Sequence, residues 1–288
     1  MLSRRSTLRL LMPALQLLII GLGVLAGATT EARAQQPTLQ KLASESTIEQ
    51  IKSRGTMRIG LSVFVPWAMP NKDGKLIGFE VDVAQKLAQD TGVELELVPT
   101  AWDGILPALL AGKFDFIIGG LTITPKRALT INFSNPYDHS DLLAVVNKKL
   151  APNITSLDQL NTPEITFASR RGALSPAIIP QMFPKAKQIQ FDDENTQNQE
   201  LINGNVTASL LSTPTPALLI ERYPDTVRII EKSVQTSYDG IGVRKGDPDT
   251  LAYLNSWITV RQADGWLEQR HSFWFEHRTW ADQINPAK

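Results

Sequence analysis

Apolar positions along this chain alternate between two spacings, short runs that suit strands and three- or four-residue stripes that suit helices. The segment 57–61 reads as a strand. Phe79, Val83, Ala84, Leu87 and Ala88 then recur at helical spacing, with Gly92 as the stop. Residues 93–98 alternate apolar and acidic, as a strand with one wet face does. Trp102-Asp103-Gly104 opens a helix whose buried side is Ile105, Leu106, Leu109 and Leu110. The run 114–118 is a buried strand ended by Gly119 and Gly120, where the backbone can turn and be approached closely. Thr124-Pro125 sets an N-cap hydroxyl before a proline, so a helix starts there with Arg127 in its first turn. Strands at 132–137 and 141–146 follow.

The polarity changes at Asn147-Lys148-Lys149, and the pattern begins again. Strands are predicted at 165–168, 189–191, 206–211, 227–230 and 240–244. Helices start at Ser175-Pro176, Thr196, Ser212-Thr213-Pro214 and Asp247-Pro248, and an aromatic-rich helix spans 266–275. Alternation of strand and helix predicts layered α/β units. The strand 240–244 can return the chain to the first unit, so crossings near 145–149 and 235–241 would make a hinge. The expected fold class is therefore α/β, two Rossmann-like lobes joined by a two-strand hinge. Lobe 1 takes 56–146 and 237–288, lobe 2 takes 147–236, and 35–55 is a polar segment.

The amino end departs from this pattern. Arg4, Arg5 and Arg9 precede an apolar run at 17–28 and a small-residue site, Ala32-Arg33-Ala34, so 1–34 reads as a secretory signal peptide cut after Ala34. The alternative is a retained anchor, but Pro13, Gln16, Gly21 and Gly23 interrupt the run. Ser3-Arg4-Arg5 is a partial twin-arginine match. The whole chain balances 29 basic and 29 acidic residues; losing 1–34 removes four Arg and one Glu and leaves 25 against 28, a formal charge of −3. No basic surplus points to nucleic acid. With no cysteine and three His, thiol chemistry, disulfides and a metal site drop out, and no cofactor is expected.

The stretch 113–127, KFDFIIGGLTITPKR, gathers the candidate chemistry. Gly120, the Thr122 hydroxyl, a helix start and Arg127 converge beyond the carboxyl end of a strand, where α/β sheets bind ligands. Free N–H groups favour an anion, and a guanidinium can grip a carboxylate with two parallel bonds. The functional reading is a small-carboxylate site; the plain reading is an ordinary strand-to-helix connection with an exposed arginine.

Taken in order, RIGLSVFVPWAM, DGKLIGFEVDVAQKLA, PTAWDGILPALLAGKFDFIIGGLTITPKR, FSNPY, GIGVRKGDP and ADGWLEQ resemble the extracytoplasmic solute-binding proteins of amino-acid ABC importers. This is solute-binding protein family 3, with the type II periplasmic-binding-protein fold. The resemblance implies a monomeric periplasmic protein that closes on a small-molecule ligand and docks on a membrane ABC permease. It implies that Arg127, Gly120 and Thr122 hold the ligand's α-carboxylate. Phe64, Trp67 and Trp102 would wall a side-chain pocket, and the loop from Arg170 to Leu174 would close over from lobe 2.

Two positions depart from the family pattern. Ser212 stands where an Asp usually pairs with the ligand's ammonium, and Leu174 stands for the usual Thr. Either another acid substitutes, Asp239 being the candidate, or the ligand lacks the amine and Arg170 or Arg171 favours a plain carboxylate or a diacid. Binding without catalysis is the expectation, so no enzyme. The alternatives are a cyclohexadienyl (arogenate) dehydratase-like enzyme, for which only Glu194 or Asp239 offers an acid, and a sensor domain working with a partner.

Overall fold

The computed structural model describes residues 46–277 and 279–284, apart from the side chains of residues 231 and 232. The expected signal peptide and the start of the polar segment lie outside the described residues. Helix α1 (Thr47–Arg54) precedes β1 (Thr56–Leu61). A hairpin of β2 (Met69–Pro70) and β3 (Leu76–Ile77) leads into α2 (Phe79–Thr91) and β4 (Glu94–Pro99). A 3-10 turn at Trp102–Gly104 opens α3 (Ile105–Leu110), followed by β5 (Phe116–Ile117) and α4 (Pro125–Ala128). The long β6 (Asn132–Asn147) leads to β7 (Thr166–Arg170), α5 (Ser175–Met182), β8 (Lys187–Phe191), α6 (Glu194–Asn203), β9 (Ala208–Ser212) and α7 (Thr215–Arg222). β10 (Val227–Val243) returns the chain to α8 (Pro248–Ala263) and α9 (Trp266–Ser272), and a π turn at Phe273–His277 continues it.

The two α/β lobes share one eight-stranded sheet, ordered β4-β1-β5-β10-β6-β9-β7-β8. β1 runs parallel to β4 and β5, and β7 runs parallel to β8 and β9. The antiparallel pair β6–β10 lies between these halves and belongs to both. Pattern reading splits each of these strands in two, because Asp138, Ser140 and Asp239 interrupt the apolar runs. Backbone pairing does not depend on side-chain polarity, so the ladder continues through them, with register shifts at Ile230/Gln235 and Asp239/Gly240. Leu142 to Val146 already pair with β9 and pack in the second lobe's core. The first crossing therefore falls ahead of the expected 145–149.

Period-2 alternation along the strands divides each lobe into two apolar layers. In lobe 1, Ile59, Phe116 and Ile118 pack with Phe79, Val83 and Leu87, while Ile117 faces Trp102, Leu109 and Phe114 on the other side. In lobe 2, Leu142, Ala144, Val146 and Leu210 face Phe167 and Ile179, while Val145 and Leu211 face Leu201 and Leu219. The tail aromatics complete the first core: Trp257, Trp274 and Trp280 are buried there, and Trp274 Nε1 donates to Asp82 at 2.7 Å. Helix α4 is a single turn, capped by the Thr124 hydroxyl, which accepts from the Arg127 N–H at 3.2 Å. So short a helix carries little macrodipole, and the expected helix-end contribution to anion binding falls away. Among the described residues no helix is long and apolar enough to cross a membrane.

Gly60 packs under the Phe114 ring, and a Cβ there would lie 2.3 Å from Phe114 Cζ. Gly60→Ala is expected to destabilise by about 1–3 kcal/mol through overpacking, read as a lower urea midpoint. Adding Phe114→Leu should recover part of that loss, since it shortens the ring that the new methyl strikes.

Candidate functional site

The aromatic loop after β1 is fixed by the start of α2. The N–H groups of Phe79 and Glu80 donate to the carbonyls of Pro66 and Trp67 at 3.2 and 3.0 Å. This approach needs Gly78, at φ 141°, because a Cβ there would sit 2.2 Å from the Trp67 carbonyl oxygen. Phe64 and Trp67 stack with ring centroids 4.7 Å apart, and Trp67 rests on Phe275 of the tail at 5.2 Å. Gly120, at φ 63°, turns the chain after β5 beneath these rings. Its N–H donates to Glu80 Oε1 at 2.6 Å, and Tyr137 Oη donates to Glu80 Oε2 at 2.7 Å. Glu80 is fully buried. Burial raises its pKa well above the usual carboxylate range, although the Tyr137 hydrogen bond pulls it down.

Of the residues singled out from the sequence, all but Arg171 line one cavity, of about 60 Å³, between the lobes. Phe64, Trp67, Trp102, Gly120, Thr122 and Arg127 come from lobe 1, Arg170, Leu174 and Ser212 from lobe 2, and Asp239 from the crossing strand β10. Most stand at the carboxyl ends of parallel strands, where chain turns away from the sheet and leaves side chains facing a crevice.

Arg127 is not a free fork. Its Nη1 donates to the Thr122 carbonyl at 2.7 Å and its Nη2 to the Gly172 carbonyl, across the cleft, at 2.9 Å. Trp102 Nε1 donates to the same Gly172 oxygen at 3.2 Å. Both of these Arg127 partners are neutral carbonyls, so they satisfy donors without cancelling the charge. Burial lowers the Arg127 pKa to about 10, with Asp239 opposing and Arg170 reinforcing, and the group stays cationic at neutral pH.

The structure separates the two arginines of the lobe-2 turn. Arg171 is half exposed and pairs with Asp192 at 3.0 Å, as a solvated turn residue does. Arg170 turns into the cleft and is buried. Its guanidinium carbon lies 4.9 Å from the Phe64 ring centroid and 4.7 Å from that of Trp102. Its Nη1 is 3.6 Å from Glu194 Oε2. Asp239 is also buried, with a β-bridge to Thr122. Burial and the nearby charge of Asp138 push its carboxyl up to about 7, against a Thr122 hydrogen bond and Arg127.

Sequence reasoning missed Glu80 and Ser140, and it placed Gly172 in the closing loop without giving its carbonyl a part. Glu80 lies on the helix face of Val83, Ala84 and Leu87, a buried acid among apolar neighbours, and that spacing was a usable signal. The Gly172 carbonyl gave none, since backbone acceptors are common to every residue. Among the described residues no cluster of His, Cys, Asp or Glu could hold a metal ion.

Comparison with known proteins agrees with this fold. The model of the bacterial extracellular solute-binding proteins, family 3, matches residues 57–277. The L-cystine-binding protein TcyJ of Escherichia coli K12 is 31% identical over 257 residues, covering 89% of this chain and 96% of that protein. The crystal structure of the ancestral amino acid-binding protein AncCDT-1, a precursor of cyclohexadienyl dehydratase, superposes with a TM-score of 0.75 at 34% identity, covering 80% of this chain and all of that one. The cyclohexadienyl dehydratase of Pseudomonas aeruginosa is 23% identical over 237 residues, 82% of this chain and 88% of that protein. An enzyme among such relatives overturns the expectation that this chain is no enzyme, because a chain similar to this one is named a dehydratase. The two-lobe sheet, the position of the cleft and the extent of the family match lead to one conclusion: the chain belongs to the bacterial extracellular solute-binding proteins, family 3.

Proposed function

We propose that this protein captures an amino acid or a related small carboxylate between its lobes and delivers it to an ABC importer. It would act in the periplasm as a monomer after removal of residues 1–34. The observation that carries this reading is Arg127, a cation in the inter-lobe cavity whose guanidinium bonds to one carbonyl from each lobe. A ligand carboxylate would exchange one of those neutral acceptors for a charge-assisted bond, which is shorter and stronger. Phe64, Trp67 and Trp102 would wall the remainder and Thr122 would add a hydroxyl, whereas the Gly120 N–H, expected from the sequence to hold the carboxylate, is already taken by Glu80. Gly172 carries the closing contact, since its carbonyl can reach Arg127 and Trp102 only when the lobes meet. A ligand that binds the closed form better shifts the hinge toward closure by that difference. The names of TcyJ and AncCDT-1, L-cystine-binding and amino acid-binding, support the class of ligand.

A second reading is catalysis on the same cleft, favoured by Asp239. A carboxyl near pH 7 in a buried cleft, beside a hydroxyl, is suited to proton transfer. The dehydratase relative gives the class to try. Formation of an aromatic product from prephenate or arogenate by the wild type, lost in Asp239→Asn, would establish this reading; no product from either would remove it.

Arg127→Met is expected to abolish ligand-induced thermal stabilisation while the unliganded melting temperature changes little. A ligand at 100 times its dissociation constant should stabilise the wild type by about 2.7 kcal/mol. Equal stabilisation of wild type and variant would remove Arg127 from the site. Asp239 also makes stability depend on pH. The folded protein keeps a proton on Asp239 that the unfolded chain releases, so this contribution is present at low pH and fades as pH rises through about 7. It amounts to at most about 4 kcal/mol. His271, whose pKa the Asp138 hydrogen bond raises against burial, acts in the same direction. The urea midpoint should therefore be higher at pH 5 than at pH 8, and the difference should shrink in Asp239→Asn.

A further inference from the structure

We propose that the cleft selects a dianion, a small molecule with two carboxylates, one held by Arg127 of the first lobe and the other by Arg170 of the second. This rests on the capture reading above and narrows its ligand class. Phe64 and Trp102 offer the aromatic faces on which a ligand's cationic side chain would lie. Arg170 already covers both, at 4.9 and 4.7 Å from their ring centroids. A ligand ammonium or guanidinium would have to displace a buried arginine or lie against it, like charge to like.

Acids stand near both cations, Glu194 and Asp193 by Arg170 and Asp239 by Arg127, but none of them sits within hydrogen-bond distance of Arg170. Glu194 is shared: Oε2 is 3.6 Å from Arg170 Nη1, and Oε1 accepts from the Thr215 hydroxyl at 3.0 Å. Asp239 faces Arg127, with burial holding its carboxyl up to about 7. Arg170 Nε is buried with no hydrogen-bond partner among the described residues. A buried donor without an acceptor is costly, and an incoming oxygen anion would supply one. Ser140 and Ser212 also line the cavity, neutral hydroxyls that can complete a carboxylate's shell and cannot neutralise an ammonium. With Arg170 as placed, the open volume of about 60 Å³ suits a compact acid.

Titration calorimetry at pH 7.5 on the purified protein tests this with succinate, glutarate and 2-oxoglutarate against L-arginine, L-alanine and L-cystine. At least one dicarboxylate should bind more tightly than all three amino acids. Arg170→Met should weaken that dicarboxylate by about tenfold or more. Arg170→Lys, which keeps the charge and loses the fork, should fall between; it also serves if the Met variant does not fold. Tighter binding of any of the three amino acids, or undiminished dicarboxylate binding by Arg170→Met, overturns the dianion. If an amino acid binds and Arg127→Met abolishes it, capture stands and only the dianion is lost. If no compound in either set binds, both readings fall.

Discussion

The long antiparallel pairing of β6 with β10 is the constraint on which the rest of the molecule depends. Each strand contributes one half to each lobe, so the lobes share a ladder of backbone hydrogen bonds and not a flexible tether. A ladder bends more readily than it slips, because a one-residue slip would turn every side chain to the wrong face. That keeps Arg127 and Arg170, which reside on different lobes, opposed across the same gap. It also places Asp239 at the edge of that gap, beside a register shift where the strand turns a carboxylate toward Thr122.

Around this ladder the protein gathers an unusual quantity of buried acid. Glu80, Asp138 and Asp239 are all less than a tenth exposed, with Tyr137 donating into the group and His271 Nδ1 2.7 Å from Asp138 Oδ1. Burial is the main reason that Glu80 and Asp239 shift upward, and the neighbouring carboxylates add to it. The arrangement has a structural use. Glu80 accepts the Gly120 N–H, so a buried acid on α2 holds the glycine corner from which Thr122 and Arg127 project. The site is thus supported from behind by polar groups, while its front is aromatic.

Arg170 gives the cleft a second buried cation. A cation drawn between Phe64 and Trp102 joins lobe 2 to lobe 1 through ring faces, in addition to the Gly172 carbonyl. Contacts of this kind favour closure. Relatives with the same fold bind or transform different small molecules, so the fold supplies the jaws and a few cleft side chains supply the selection.

The α/β class, the two lobes and many of the residues that line the candidate cleft were legible in the sequence. They follow from local rules: period-2 and helical spacing, Gly turns, Thr-Pro and Asp-Pro starts, and the habit of sheets to bind ligands beyond strand carboxyl ends. Arg127, Thr122 and Gly120 could be found because one short stretch carries them all. Tertiary structure alone decided the remainder. It merged four predicted strands into two, because pairing is backbone chemistry and ignores the polar residues that break an apolar run. It separated Arg170 from Arg171, which are alike in sequence, by turning one toward aromatic rings sixty or more residues distant and the other toward water. It raised Asp239 from an ordinary aspartate to a group poised near neutrality, because burial and a neighbouring charge exist only once the chain has folded.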